Sequence, residues 1–301
     1  MIRIIRPSPA RPPRERSEPS VIRHLSHPAR PTGGCDILPG MKNEEIAEAF
    51  LAYYQTFPHE DMNDLKLAHT RRVVENARTI MASPEFPAAL RAAGETAAWL
   101  HDLGRFRQFM QYHTFSDRIS VNHALLSCGE VLRLGWLDDR EASERNLILR
   151  AIEFHNLRDL PPSLSPDEAA LAHLVRDADK LDIFTVLDEA IATNYLPSHP
   201  EVYWGLPFTA APSPKIVKAI ETGATIDYAD ICSFADFVFI QLAWCNGGLH
   251  FRESYRLAQA RGEVAQRRDY LIQILPQARE TIEHCCQVAE MALARGAGNE
   301  R

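Results

Sequence analysis

Residues 63–83, NDLKLAHTRRVVENARTIMAS, place Leu65, His69, Val73, Ala77 and Ile80 on one stripe at steps of three and four. That period is the helical one, and a face this continuous must be buried against another element. The same period recurs through the middle of the chain. In AALRAAGETAAWLHD the apolar run Ala97, Ala98, Trp99 and Leu100 leads into a His–Asp pair. SVNHALLSCGEVLRL predicts a helix with Val121, Leu125, Cys128 and Leu132 inward, Ser120 as a cap and Gly135 as a stop. EASERNLILRAIEFH aligns Ile148, Ala151 or Ile152, and His155. SPDEAALAHLVRDADKLDIFTVLDEAI begins with Ser165, Pro166 and Glu168, a capping-box arrangement, and carries Leu171, Leu174, Ala178 and Leu181 on its stripe. No strand alternation or hairpin turn competes with these patterns, so the chain is expected to be all-α.

The punctuation sets the organisation. Residues 1–40 hold seven Arg and eight Pro with no apolar period, a composition that cannot offset its own ordering entropy and reads as a disordered segment. Met41 opens MKNEEIAEAF, the first stretch with folded character, and is read as the natural start. A helical core is expected over 41–191. Residues 195–214 carry five Pro and one Gly, a loop or lid, and Lys215–Thr222, Tyr228–Trp244 and Tyr255–Arg295 are expected to form a helical extension over 192–301, with Pro276 breaking the last segment. Asn63 or Asp64 is the expected cap of the helix that carries His69.

Composition removes several functions. A net charge of −7 over 301 residues, with 46% hydrophobic and 24% charged residues, gives no global attraction to nucleic acid or an anionic membrane. No apolar run is long enough to cross a bilayer. The six cysteines form no C-x-x-C pair and no spaced framework, which fits packed thiols in a reducing, cytoplasmic setting.

What remains is a set of ionisable residues on inward faces. One inward His is commonly a core histidine, but an inward Asp is costly unless it is paired or holds a metal. Asp102 lies among Trp99, Leu100 and Leu103, and RDADKLD puts three Asp into an apolar helix. His69, His101, Asp102 and Asp179, if they meet, are donors for a hard or borderline divalent ion.

The order His…His-Asp…Asp in LAHTRR, AWLHDLGRF and RDADKLD resembles the HD-domain superfamily of metal-dependent phosphohydrolases, over about residues 60–190. The resemblance implies an HD-type helical bundle with His69, His101, Asp102 and Asp179 as metal ligands. Asp179 is preferred to Asp177 because the family's ligand directly precedes the basic residue of its AD-[KR]-L pattern. Asp177 and Asp182 are then salt-bridge or supporting partners. His123 and His155 occupy the two intervening positions that supply a second ion in two-metal subfamilies, with Asp102 as the bridge. A Gly-Arg-Phe after the pair is shared with a subgroup of bacterial HD proteins.

Arg105, Lys180 and His113 are the expected substrate-side residues, Arg105 through a bidentate phosphate contact. The implied cofactor is one or two divalent ions (Mn, Fe, Co, Ni or Mg). The implied partner is a small-molecule phosphoester or nucleotide, with Asp102 and Asp179 helping to position the attacking water. Cyclic-di-GMP is disfavoured, because FHNLRDLPPSL lacks the second His and the Gly-Tyr-Pro of that subfamily's HHExxDGxGYP signature. The same six ligands also occur in HD-type di-iron oxygenases similar to inositol oxygenase. A non-catalytic nucleotide sensor is a third reading, but it would predict eroded ligands.

Overall fold

The computed structural model describes residues 43–208 and 211–298, so the expectations for residues 1–40 and for Met41 lie outside the described part. The described residues form helices and connecting turns, with no strand among them: the fold is all-α. None of the described helices is long and apolar enough to cross a membrane.

Seven helices surround the His–Asp pair. They are α1 (Asn43–Tyr54), α2 (Asp61–Ala82), α3 (Arg91–Leu100), α4 (Gly104–Tyr112), α5 (His123–Leu134), α6 (Ala142–Phe154) and α7 (Pro166–Ala192). Packing follows the stripes. α2 lies against α7 and α3, α6 against α7 and α3, and α5 against α4 and α6. His69, Val73, Ala77 and Ile80 are buried on α2, as are Leu171, Leu174, Ala178 and Leu181 on α7. Burying a large apolar side chain is worth about 1.5–3 kcal/mol, so these faces supply the stability that a polar interior consumes. α1 adds Phe50, Tyr53 and Tyr54, which pack with Phe57, Trp99 and Phe106 at one end of the core.

Local chemistry sets the helix ends. Ser165 and Glu168 form the expected capping box on α7. Gly135 closes α5 with φ +69°, a left-handed turn that costs glycine little. Two expected caps differ. α2 starts at Asp61, before Asn63 and Asp64, and the Asn63 amide instead donates to the Pro58 carbonyl. α5 is capped by Asn122 rather than Ser120: its side chain accepts from the backbone N–H groups of Ala124 and Leu125. The buried face of α5 is also rotated from the expected one. His123, Ala124, Ser127, Cys128 and Val131 are buried, while Val121, Leu125 and Leu132 are only partly covered.

Beyond α7, residues 196–203 form short 3-10 turns, followed by α8 (Pro214–Thr222), α9 (Phe234–Ala243), α10 (Arg252–Arg261), α11 (Glu263–Ile274) and α12 (Arg279–Gly296). The helix expected from Tyr228 begins only at Phe234, behind a separate 3-10 turn at 228–230. The expected long C-terminal segment breaks at Gly262, with φ +70°, as well as at Pro276. Side chains of α7 and α2 hold this part in place. Asp177 accepts from the backbone N–H groups of His250 (2.9 Å) and Phe251 (3.0 Å), and the Lys180 amine donates to the Gly248 carbonyl. Arg261 donates to Asn76 Oδ1 at 2.6 Å.

Candidate metal centre

α3 ends at Leu100, so His101 and Asp102 occupy the tight connection to α4 and point inward. Gly104 opens α4 where α5 passes close by. A Cβ there would lie 2.6 Å from Ser127 N and 3.0 Å from the His123 carbonyl oxygen. The Gly104 N–H donates to Ser127 Oγ at 2.9 Å. The glycine after the His–Asp pair therefore lets α5 lie against the pair and sets His123, the first residue of α5, beside Asp102. His155, just past the end of α6, arrives from another side, His69 from mid-α2, and Asp179 from mid-α7.

The four imidazoles share one arrangement. His101 Nδ1 donates to the Ala98 carbonyl (2.8 Å) and His155 Nδ1 to the Ile152 carbonyl (2.7 Å). His69 Nδ1 donates to Asp182 Oδ2 and His123 Nδ1 to Asp117 Oδ2, each at 2.6 Å. A carbonyl or carboxylate only accepts, so each Nδ1 carries a proton, and in its neutral form each ring presents a bare Nε2 lone pair inward. An outer hydrogen bond that fixes tautomer and ring orientation is the usual support of a metal-binding histidine.

Those lone pairs surround Asp102. Its Oδ2 lies 3.6 Å from His69 Nε2 and 3.7 Å from His101 Nε2. Its Oδ1 lies 3.5 Å from His123 Nε2 and 3.9 Å from His155 Nε2. Asp179 Oδ1 is 3.2 Å from His69 Nε2. His123 Nε2 and His155 Nε2 stand 2.9 Å apart, two lone pairs that repel without a cation between them. His69 Nε2, His101 Nε2 and Asp102 Oδ1 are buried and have no hydrogen-bond partner among the described residues. An unmade hydrogen bond on a buried polar atom costs about 1–3 kcal/mol, so three in one place are atoms that a bound cation would satisfy. The donor set fits a metal: His69, His101 and Asp179, and likewise His101, Asp102 and His155, bring ligand atoms within 4.8 Å of one another.

Electrostatics prepare the donors. Burial pushes the His101 imidazole below its ordinary pKa, burial and Arg105 do so for His123, and burial followed by His123 and His101 takes His155 down to about 3. These three rings are neutral at pH 7. His69 differs: burial and Lys66 act to lower it, but the Asp179 and Asp182 carboxylates beside it prevail and raise it. Burial acts to raise both carboxylates, yet Lys66, His101, Arg105 and His123 hold Asp102 well below its usual range, and His69 does the same for Asp179. Both carboxylates stay ionised.

The structure thus brings His69, His101, Asp102, His123, His155 and Asp179 together. The expected substrate-side residues are placed differently. Arg105 lines the centre, with Nε 3.4 Å from Asp102 Oδ1, and is anchored by the Phe115 carbonyl (2.6 Å), Gln108 (2.8 Å) and Asp117 (3.1 Å). The Lys180 amine is turned to the Gly248 carbonyl, and His113 is exposed at the left-handed end of α4, edge-on to Phe109. Asp182 supports His69 as expected for a partner, whereas Asp177 faces the backbone of residues 250–251.

Three contributors lay outside the sequence reading. Lys66 donates to Asp102 Oδ2 at 2.8 Å, Arg72 Nε to Asp182 Oδ1 at 2.5 Å, and Asp117 holds His123. Lys66 and Arg72 each lie three residues from His69 and so share its face of α2, a signal present in the sequence. Asp117 comes from a loop with no period to reveal it. Among known proteins, no family, no curated sequence and no solved structure matches this chain.

Proposed function

We propose that the protein is a metal-dependent phosphohydrolase of HD-domain type that cleaves a phosphomonoester or phosphodiester of a nucleotide or related small molecule. The observation that carries this reading is the division of four oriented imidazoles between the two oxygens of one buried carboxylate. His69, His101, Asp102 and Asp179 would hold one ion, and Asp102, His123 and His155 a second. Divalent ions held there polarise phosphoryl oxygens and acidify water, the two needs of in-line displacement at phosphorus.

The chain's own residues supply the rest. Asp179 is the least buried of the ligand set, with its side chain 19% exposed, and stays ionised, so it is placed to orient a water entering from solvent. Arg105, fixed by three partners, contributes a standing positive field for an anionic substrate instead of a mobile grip. The surrounding apolar faces of α3, α6 and α7 keep bulk water off the four rings, which strengthens every charge interaction inside.

The test is a chelated protein reloaded with Mn, Fe, Co, Ni or Mg and assayed against nucleotides, cyclic nucleotides and generic phosphoesters, with oxygen uptake followed in parallel. Metal-dependent phosphate release without oxygen uptake is expected. Turnover that consumes oxygen with iron and releases no phosphate overturns the hydrolase and favours the oxygenase that the same donors could serve.

A further inference from the structure

Lys66 stands one turn before His69 on α2, and its amine donates to Asp102 Oδ2 at 2.8 Å. That oxygen is the one facing His69 Nε2 and His101 Nε2. A lysine ammonium and a cation held by those two imidazoles would compete for the same carboxylate oxygen, and their mutual repulsion is strong in a buried site. Arrival of the cation therefore favours departure of the ammonium.

The surroundings show which way. Asp102 is the only hydrogen-bond partner of Lys66 among the described residues, whereas Arg105 on the other oxygen is tied down by three groups. The lysine side chain is 15% exposed against 4% for Asp102, so its free direction is outward. Its amine already lies 5.4 Å from the centre of the Phe115 ring, a face that attracts a cation and gives the displaced amine a resting place at the mouth. Arg105 lies over the same ring at 5.6 Å, so the relocated amine would stand beside a second positive group. Two cations side by side at the opening of a metal centre form an anion site.

We propose that Lys66 is a displaceable counter-ion. It neutralises Asp102 in the metal-free protein, and on metal binding it moves to the mouth, where with Arg105 it binds the phosphoryl oxygens of the substrate. The second half rests on the phosphohydrolase reading; the first half rests only on the metal centre.

The experiment is a calorimetric titration of chelated wild type, Lys66→Gln and Lys66→Arg with Mn²⁺, then of each Mn-loaded protein with inorganic phosphate. Lys66→Gln should bind Mn²⁺ about tenfold tighter, because the competitor is gone, and phosphate about tenfold more weakly, because a charged donor is gone. Lys66→Arg should stay near wild type for phosphate. A merely structural lysine would weaken both titrations when removed. Mn²⁺ affinity in Lys66→Gln that is unchanged or lower overturns the displacement, and unchanged phosphate affinity overturns the anion site. Wild type that takes up no Mn²⁺ overturns the metal centre itself and this proposal with it, an outcome read before any variant is compared.

Discussion

Arg267 on α11 and Asp102 beneath α4 are both buried charges, and their surroundings treat them differently. Every nitrogen of the Arg267 guanidinium has a partner. Nε donates to Gln241 (2.8 Å), one terminal nitrogen to Asp188 (3.0 Å) and Glu263 (2.8 Å), and the other to the Phe184 carbonyl (2.6 Å). The group also lies over the Phe184 ring. Around Asp102 the outer atoms are equally well bonded, but the inner ones are not: His69 Nε2, His101 Nε2 and Asp102 Oδ1 are buried without hydrogen-bond partners among the described residues. The Arg267 guanidinium is fully satisfied as folded and ties α11 to α7 and α9. The Asp102 cluster is rigid on the outside and unfinished on the inside, the condition of a site preorganised for a ligand.

Arg267→Ala should give the largest effect. It strands Glu263 and Asp188 and should cost about 3–5 kcal/mol of stability, measured by denaturant unfolding, while Mn²⁺ affinity stays unchanged. Asp102→Ala reverses that pattern. Wild type at a hundredfold excess of Mn²⁺ over its Kd should gain about 2.7 kcal/mol in the same assay, Arg267→Ala should gain as much, and Asp102→Ala should gain nothing. A metal-induced gain that survives Asp102→Ala would break the comparison. Next come the outer bonds: Asp117→Ala or Asp182→Ala should weaken Mn²⁺ binding about 10–100-fold by releasing His123 or His69.

The smallest effect, and the most discriminating, is in pH. His155 titrates at about 3 in the folded chain against an ordinary 6.5, so the unfolded chain takes the proton first. Its contribution is complete above pH 6.5 and falls on acidification, by at most about 1.4 kcal/mol per pH unit. Glu263, raised by burial from 4.5 to about 7, has the opposite sign. The folded chain holds that proton longer, so its contribution is complete below pH 4.5 and is lost as pH rises through 7. In metal-free protein between pH 4.5 and 6.5, His155→Gln should flatten the rise of Tm with pH and Glu263→Gln should steepen it. Slopes that change in the same direction would show that the two regions do not titrate independently.

The inner cluster was legible because helix period and residue chemistry agree there. His69 and Ala178 sit on apolar stripes, and a carboxylate beside Trp99 and Leu100 is too costly to lack a purpose. The capping box at Ser165 and the stop at Gly135 were legible because each is a local bond among neighbours. The start of α9 and the break at Gly262 were not. The sequence from Tyr228 is apolar enough to continue a helix, and the local cap that starts α9, Ser233 accepting from the Asp236 N–H, is hidden inside that run. The outer bonds were partly hidden as well. Asp182 lies in a pattern that suggested a partner, but Asp117 belongs to a loop whose position depends on how α4 and α5 meet. Lys180 and His113 show the converse: the right residue type near the right motif, turned elsewhere by a backbone carbonyl in one case and by a left-handed helix end in the other.

His69 and the Asp182 that orients it are 113 residues apart; Asp179 shares α7 with Asp182, and the other donors come from three stretches in between. An ion gripping such donors closes a long chain loop much as a disulfide does, and closing a loop of roughly 100 residues is worth about 4–5 kcal/mol of chain entropy in the simplest treatment. Metal supply would then govern the stability of the fold. A cell short of the ion would leave the chain with fewer constraints on local opening, and proteases would remove it sooner.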